Sequence, residues 1–133
     1  MPTSPQPPST IQEIVLVDDE PSVLFALKLL LQALGFSVQD FNGPLEAIQY
    51  FASSSRIDLC LCDLKMPKMN GLGVLEEVRK HRPSLPFVLM SAHASTEEID
   101  RAQELGATGF LSKPFTPEDL KQLVEKVAAG QRV

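Results

Sequence analysis

The sequence predicts a doubly wound α/β fold, a five-stranded parallel sheet with helices on both faces. Three observations predict it. From Glu13 onward, five short apolar runs alternate with five segments of helical period, and such alternation specifies a parallel sheet with crossover helices. The first run is β-branched and unbroken, as a strand covered on both faces requires. The chain has 133 residues, which fits one domain rather than two.

Each element has its own signal. Ile14-Val15-Leu16-Val17 is the first strand. From Pro21 to Leu34 the period changes, with Val23, Leu27, Leu30, Leu31 and Leu34 on one helical stripe and Gly35 as the stop. Phe36 to Phe41 reads as the second strand, and Asn42-Gly43-Pro44 opens a helix through about Ala52. Asp58 to Asp63 is the third strand, Lys65 to Asn70 a loop, and Gly71 to His81 the third helix. Pro86 to Met90 is the fourth strand. Ser95-x-x-Glu98 is a capping box that starts the fourth helix, whose apolar anchors are only Ile99, Ala102 and Leu105. Thr108 to Leu111 is the fifth strand. Thr116-Pro117-Glu118-Asp119 starts the last helix, with Pro in its first turn and a stripe of Leu120, Leu123, Val124 and Val127.

Composition narrows the function classes. Hydrophobic residues make up 44% and charged residues 22%, enough for one core without metal or disulfide staples. Seventeen acids against 12 Lys and Arg leave a net charge of −5, so direct nucleic-acid binding by a bare basic surface is not expected. Cys60 and Cys62 form no disulfide framework, which suits a reducing, cytoplasmic setting. No run of 18 apolar residues offers a membrane span. Met1 to Thr10 carries no charge and no apolar h-region, so it is not a secretory signal. Residues 1–11 read as a Pro-rich disordered leader or linker, 12–129 as the domain, and 130–133 as a tail.

In parallel α/β sheets, ligands bind beyond the carboxyl ends of the strands, where strand order reverses. Strand one runs into Asp18-Asp19, strand three ends in Asp63, strand four runs into Ser91, and strand five into Ser112-Lys113-Pro114. Singly, each feature has a plain explanation: an acid after a strand is often a helix cap, which stays open for Asp19, and a lysine there is usually solvated. Together they put three carboxylates, a hydroxyl and an ammonium on one rim. Clustered carboxylates cannot all stay ionised without a cation. Oxygen ligands without His or Cys suit Mg²⁺, which accepts phosphate as a further ligand. A carboxylate can then act as the nucleophile of phosphoryl transfer, with a cation and an ammonium neutralising the transferring oxygens. Asp63, Mg²⁺ and Lys113 fit those parts.

Val17-Asp18-Asp19-Glu20, Asp63-Leu-Lys-Met-Pro-Lys-Met-Asn-Gly71, Met90-Ser91-Ala92 and Gly106-Ala-Thr-Gly-Phe-Leu-Ser-Lys-Pro-Phe115 together resemble the response-regulator receiver domain, the CheY-like family. The resemblance covers about residues 12–129. It implies a flavodoxin-like three-layer sandwich with strand order 2-1-3-4-5. It also implies a two-component phosphorelay role. Asp63 would be the phosphoacceptor for a histidine kinase or phosphotransfer protein. Asp19 would bind Mg²⁺ directly, Asp18 mainly through water, and Lys65 through its backbone carbonyl. Ser91 and Lys113 would contact the phosphoryl group, Lys113 being followed by a cis bond to Pro114, and Phe110 would swing inward on activation. The implied protein catalyses only its own phosphorylation and dephosphorylation and is not a metabolic enzyme. Its output passes to a downstream protein or to a domain beyond this sequence. Ser91 stands for the more usual Thr and Phe110 for the frequent Tyr. Gly109 stands where transcription factors that dimerise through helix four, strand five and helix five usually carry Asp, which weighs against that specific dimer without fixing the oligomeric state.

Other residues carry weaker signals. Cys60 and Cys62 read as core packing rather than a metal pair. His93, two residues after Ser91, and the Lys65 side chain sit near the rim, where family members tune dephosphorylation. Phe25 and Leu29 lie opposite the core stripe of helix one and one turn apart. That apolar pair reads either as a docking surface for the phosphodonor, which in receivers meets helix one, or as partly buried packing. Two further functions compete. A Mg²⁺-dependent phosphohydrolase with an aspartyl nucleophile usually carries a second acid two residues on, where this chain has Lys65. A phosphorylation-independent binding module would not need the complete acid, hydroxyl and lysine set.

Overall fold

Strands and helices alternate throughout the computed structural model, which describes residues 11–130. The expectations for residues 1–10 and 131–133 lie outside the described residues. The order is β1 (Glu13–Val17), α1 (Pro21–Ala33), β2 (Ser37–Phe41), α2 (Pro44–Phe51), β3 (Leu59–Asp63), α3 (Gly71–His81), β4 (Phe87–Ser91), α4 (Thr96–Glu104), β5 (Gly109–Ser112) and α5 (Pro117–Ala128). All four strand pairs are parallel, in the order β2-β1-β3-β4-β5. Consecutive connections from β1 therefore leave toward opposite edges, which opens a crevice at the carboxyl ends of β1 and β3.

Burial follows from this order. β3 and β4 are buried at every residue, as strands covered on both faces must be. The edge strands β2 and β5 are only partly covered. Side chains of a strand alternate between faces, so the core splits in two. Val15, Val17, Cys60, Cys62, Phe87 and Leu89 meet α2, α3 and α4. Ile14, Leu16, Leu59, Leu61, Val88 and Met90 meet α1 and α5. Cys60 and Cys62 are core residues, and burial pushes both thiols well above their ordinary range. Ile11, assigned above to the leader, packs in the second cluster.

Helix α1 departs from the expected stripe. The buried residues are Leu24, Leu27 and Leu31, while Val23, Leu30 and Leu34 are only half-buried. So many of its residues are apolar that periodicity alone left the facing stripe ambiguous, and the helix is turned to centre on Leu27. Phe25 and Leu29 stay outside, 61% and 49% exposed. The helix ends at Gly35, whose φ of +98° favours glycine.

The end of the sheet opposite the rim is held by two arginines. Arg79 donates to the carbonyls of Leu105, Gly106, Arg82 and Leu85. Arg82 donates to those of Phe51, Ser53 and Ser55. Neither role has a sequence signal.

Candidate functional site

Sheet register brings the site together. Val17 pairs with Cys62, so the next residues, Asp18 and Asp63, come level. Asp63 pairs with Met90, and Ser91 with Ser112, which puts Lys113 one step past the same rim. The loop after Asp63 is drawn tight by Gly71, whose N–H donates to the Leu64 carbonyl at 2.8 Å. A Cβ at Gly71 would lie 2.7 Å from the Asp63 carbonyl oxygen and 2.5 Å from Leu89. Only glycine lets α3 start this close to the phosphoacceptor candidate.

Asp18, Asp19 and Asp63 each offer a carboxylate oxygen within 4.8 Å of the others. Asp18 is fully buried and Asp63 is 5% exposed. Lys113 Nζ donates to Asp18 Oδ2 at 3.2 Å and to Asp63 Oδ1 at 3.3 Å. Asp18 Oδ1 accepts the Glu20 N–H at 3.0 Å. Asp19 is not the cap of α1: Glu20 occupies that position and caps with no side-chain bond.

These contacts leave the site with more negative charge than its one ammonium balances. Burial, and next the Asp18 charge, push Asp63 above the usual carboxylate range, with Lys113 opposing them. Burial pulls the Lys113 ammonium down, but Asp18 and Asp63 outweigh it and its pKa is raised. The donor set is all oxygen, with three carboxylates and no thiolate or imidazole, which fits Mg²⁺. Asp18, Asp19 and Asp63 could hold it.

The other predicted residues are placed as follows. Ser91 is buried; its hydroxyl donates to the His93 carbonyl at 2.5 Å and accepts the His93 N–H at 3.0 Å. Phe110 is half-buried against the α2-α3-α4 side of the core. The Lys113–Pro114 bond is cis. The Lys65 ammonium is not on the rim carboxylates but on Glu98, at 2.7 Å. Glu98 was visible in sequence only as part of a capping box, and nothing in spacing pairs it with a loop 33 residues away.

The sequence profile of the response regulator receiver domain matches residues 14–125. The chain belongs to this family. It is 32% identical over 111 residues to the DNA-binding transcriptional regulator NtrC of Escherichia coli K12, covering 84% of this chain and 24% of that protein. It is likewise 32% identical over 117 residues to the transcriptional regulatory protein ZraR of the same organism, covering 88% and 26%. The receiver thus spans about a quarter of the length of these curated relatives. Among solved structures, a CheY-like receiver domain protein from Methanospirillum hungatei JF-1 superposes with a TM-score of 0.86 at 27% identity, over 92% of this chain and 97% of that one. The chemotaxis protein CheY4 of Vibrio cholerae gives 0.82 at 29% identity, over 89% and 99%. The receiver fold and the 2-1-3-4-5 order are those of the CheY-like family. Receivers are signalling domains, so the phosphohydrolase reading is set aside. None of the helices among the described residues is long and apolar enough to cross a membrane.

Proposed function

We propose that this receiver accepts a phosphoryl group on Asp63 from a histidine kinase or phosphotransfer protein in a Mg²⁺-dependent reaction. The observation that carries the reading is the convergence of three carboxylates within 4.8 Å, with Lys113 bridging Asp18 and Asp63. The Asp63 oxygen forms the bond to phosphorus as the bond from phosphorus to the donor's nitrogen breaks. Asp19 directly, Asp18 mainly through water, Asp63 and the Lys65 carbonyl would hold Mg²⁺, which when bound would supply positive charge to the transferring oxygens. Lys113 is close enough to Asp63 to stabilise the same charge. Ser91 then exchanges the His93 carbonyl for a phosphoryl oxygen. That exchange would bias Phe110 inward and shift the face formed by α4, β5 and α5. Phe25 and Leu29 on α1 are the proposed docking pair for the phosphodonor. Output passes to a cytoplasmic protein partner or to a domain outside this sequence.

Intact mass after incubation with a small phosphodonor and Mg²⁺ tests this. Wild type should gain one phosphoryl group and Asp63→Asn none, because an amide is no nucleophile here. A phosphoryl group on Asp63→Asn would remove Asp63 from its role. An unloaded wild type would favour the phosphorylation-independent module.

A further inference from the structure

Lys65 lies two residues beyond Asp63. Its neighbours Leu64 and Met66 are buried, so its own side chain is turned outward at the rim. There its ammonium meets Glu98 Oε2 at 2.7 Å. Glu98 has a second task. Its Oε1 accepts the Ser95 N–H at 3.0 Å, while the Ser95 hydroxyl accepts the Glu98 N–H at 3.1 Å, closing the first turn of α4. One carboxylate therefore joins the loop after the phosphoacceptor to the start of α4. Little else anchors that helix, because Ala102 is its one fully buried residue. The Lys65 side chain is 61% exposed, so no packing fixes it on Glu98.

A phosphoryl group on Asp63 would bring about two negative charges to this rim. The Lys113 ammonium is already shared between Asp18 and Asp63. A second ammonium, that of Lys65, starts only two residues past Asp63. We propose that Lys65 exchanges anions: it holds Glu98 while Asp63 is free and turns to the phosphoryl group when Asp63 is loaded, releasing the first turn of α4. This inference rests on Asp63 being the phosphoacceptor.

Competition for one ammonium has a thermodynamic signature. If Glu98 and the phosphoryl group exclude each other on Lys65, removing Glu98 must tighten binding at Asp63, and removing Lys65 must weaken it. A bridge that only fixed the loop would give both variants the same sign, since each breaks the same pair.

The test is a ¹⁹F NMR titration of the full chain with beryllofluoride, an acyl-phosphate mimic, in excess Mg²⁺. Glu98→Gln keeps an oxygen for the Ser95 N–H and so keeps the cap. It should bind about twofold to fivefold more tightly than wild type, and Lys65→Gln weaker by a similar factor, as fits one exposed ion pair. Glu97→Gln, which removes the neighbouring exposed acid, should bind as wild type does. Exchange of the Ile99 amide, which donates to the Ser95 carbonyl, should speed up on loading in wild type and be fast from the outset in Glu98→Gln. Shifts of one sign in both variants, no shift in either, or an equal gain in Glu97→Gln would each overturn the proposal. If wild type binds no beryllofluoride, or Asp63→Asn binds it equally, the phosphoacceptor reading itself fails and takes this inference with it.

Discussion

The two ends of the sheet use cations in opposite ways. At the amino ends of the strands, Arg79 and Arg82 donate seven hydrogen bonds to main-chain carbonyls. Those carbonyls are neutral, so each guanidinium meets acceptors that do not repel one another. At the carboxyl ends, one ammonium is shared by two carboxylates with a third close by. Burial first, and then the neighbouring Asp18 charge, keep Asp63 above the usual carboxylate range. One end is closed and serves stability. The other holds more negative charge than its one ammonium balances.

Removing the cation at each end should expose the difference. Lys113→Ala leaves Asp18 and Asp63 facing each other and should cost about 3 kcal/mol at neutral pH. The cost should shrink as pH falls through the Asp63 pKa, which lies above the usual carboxylate range, because a protonated Asp63 no longer repels its neighbour. Arg82→Ala strips three carbonyls of a charged donor and should cost about 2 kcal/mol, with no pH dependence because carbonyls do not titrate there. Denaturant melts across pH separate the two, and equal pH profiles would break the comparison.

Asp63→Asn should act in the other direction. The Asp63 pKa is raised in the fold, so the folded state favours its neutral form. Its contribution is present at low pH and lost as pH rises through the folded value. Asparagine is neutral throughout, so the variant should be more stable than wild type at pH 7, and the gain should vanish below the ordinary aspartate pKa of about 4. The smallest effect on stability belongs to α1. Phe25→Ala and Leu29→Ala, both at exposed positions, should each change stability by no more than about 0.5 kcal/mol. The double variant should slow transfer from the cognate phosphodonor about fivefold, the loss of roughly 1 kcal/mol of an interface anchor, while small-donor loading stays normal. A normal protein-donor rate would remove this face from docking.

The rim was legible because its residues directly follow strands, and strands were readable from short apolar runs. Asp18, Asp63, Ser91 and Lys113 needed only the rule that ligands meet the carboxyl ends. The strand order came from family resemblance, since alternation alone leaves several right-handed windings. Period alone does not single out the facing stripe of α1, because Leu24 competes with Val23, Leu30 and Leu34 in a helix apolar on most sides. Contacts that depend on loop conformation left no trace in spacing. Lys65 with Glu98, the Ser91 hydroxyl on the His93 carbonyl, and the carbonyl partners of Arg79 and Arg82 are all of this kind.

The rim is held with too little positive charge, so it should gain stability when a cation joins it. Thermal melting of wild type and Asp19→Ala, each with and without excess Mg²⁺, tests it directly. A ligand that binds only the folded state raises its stability, so wild type should melt higher with Mg²⁺, and higher again when beryllofluoride is added. Asp19→Ala should show little or none of the Mg²⁺ gain. An unchanged wild-type melt, or an equal gain in Asp19→Ala, would contradict the account.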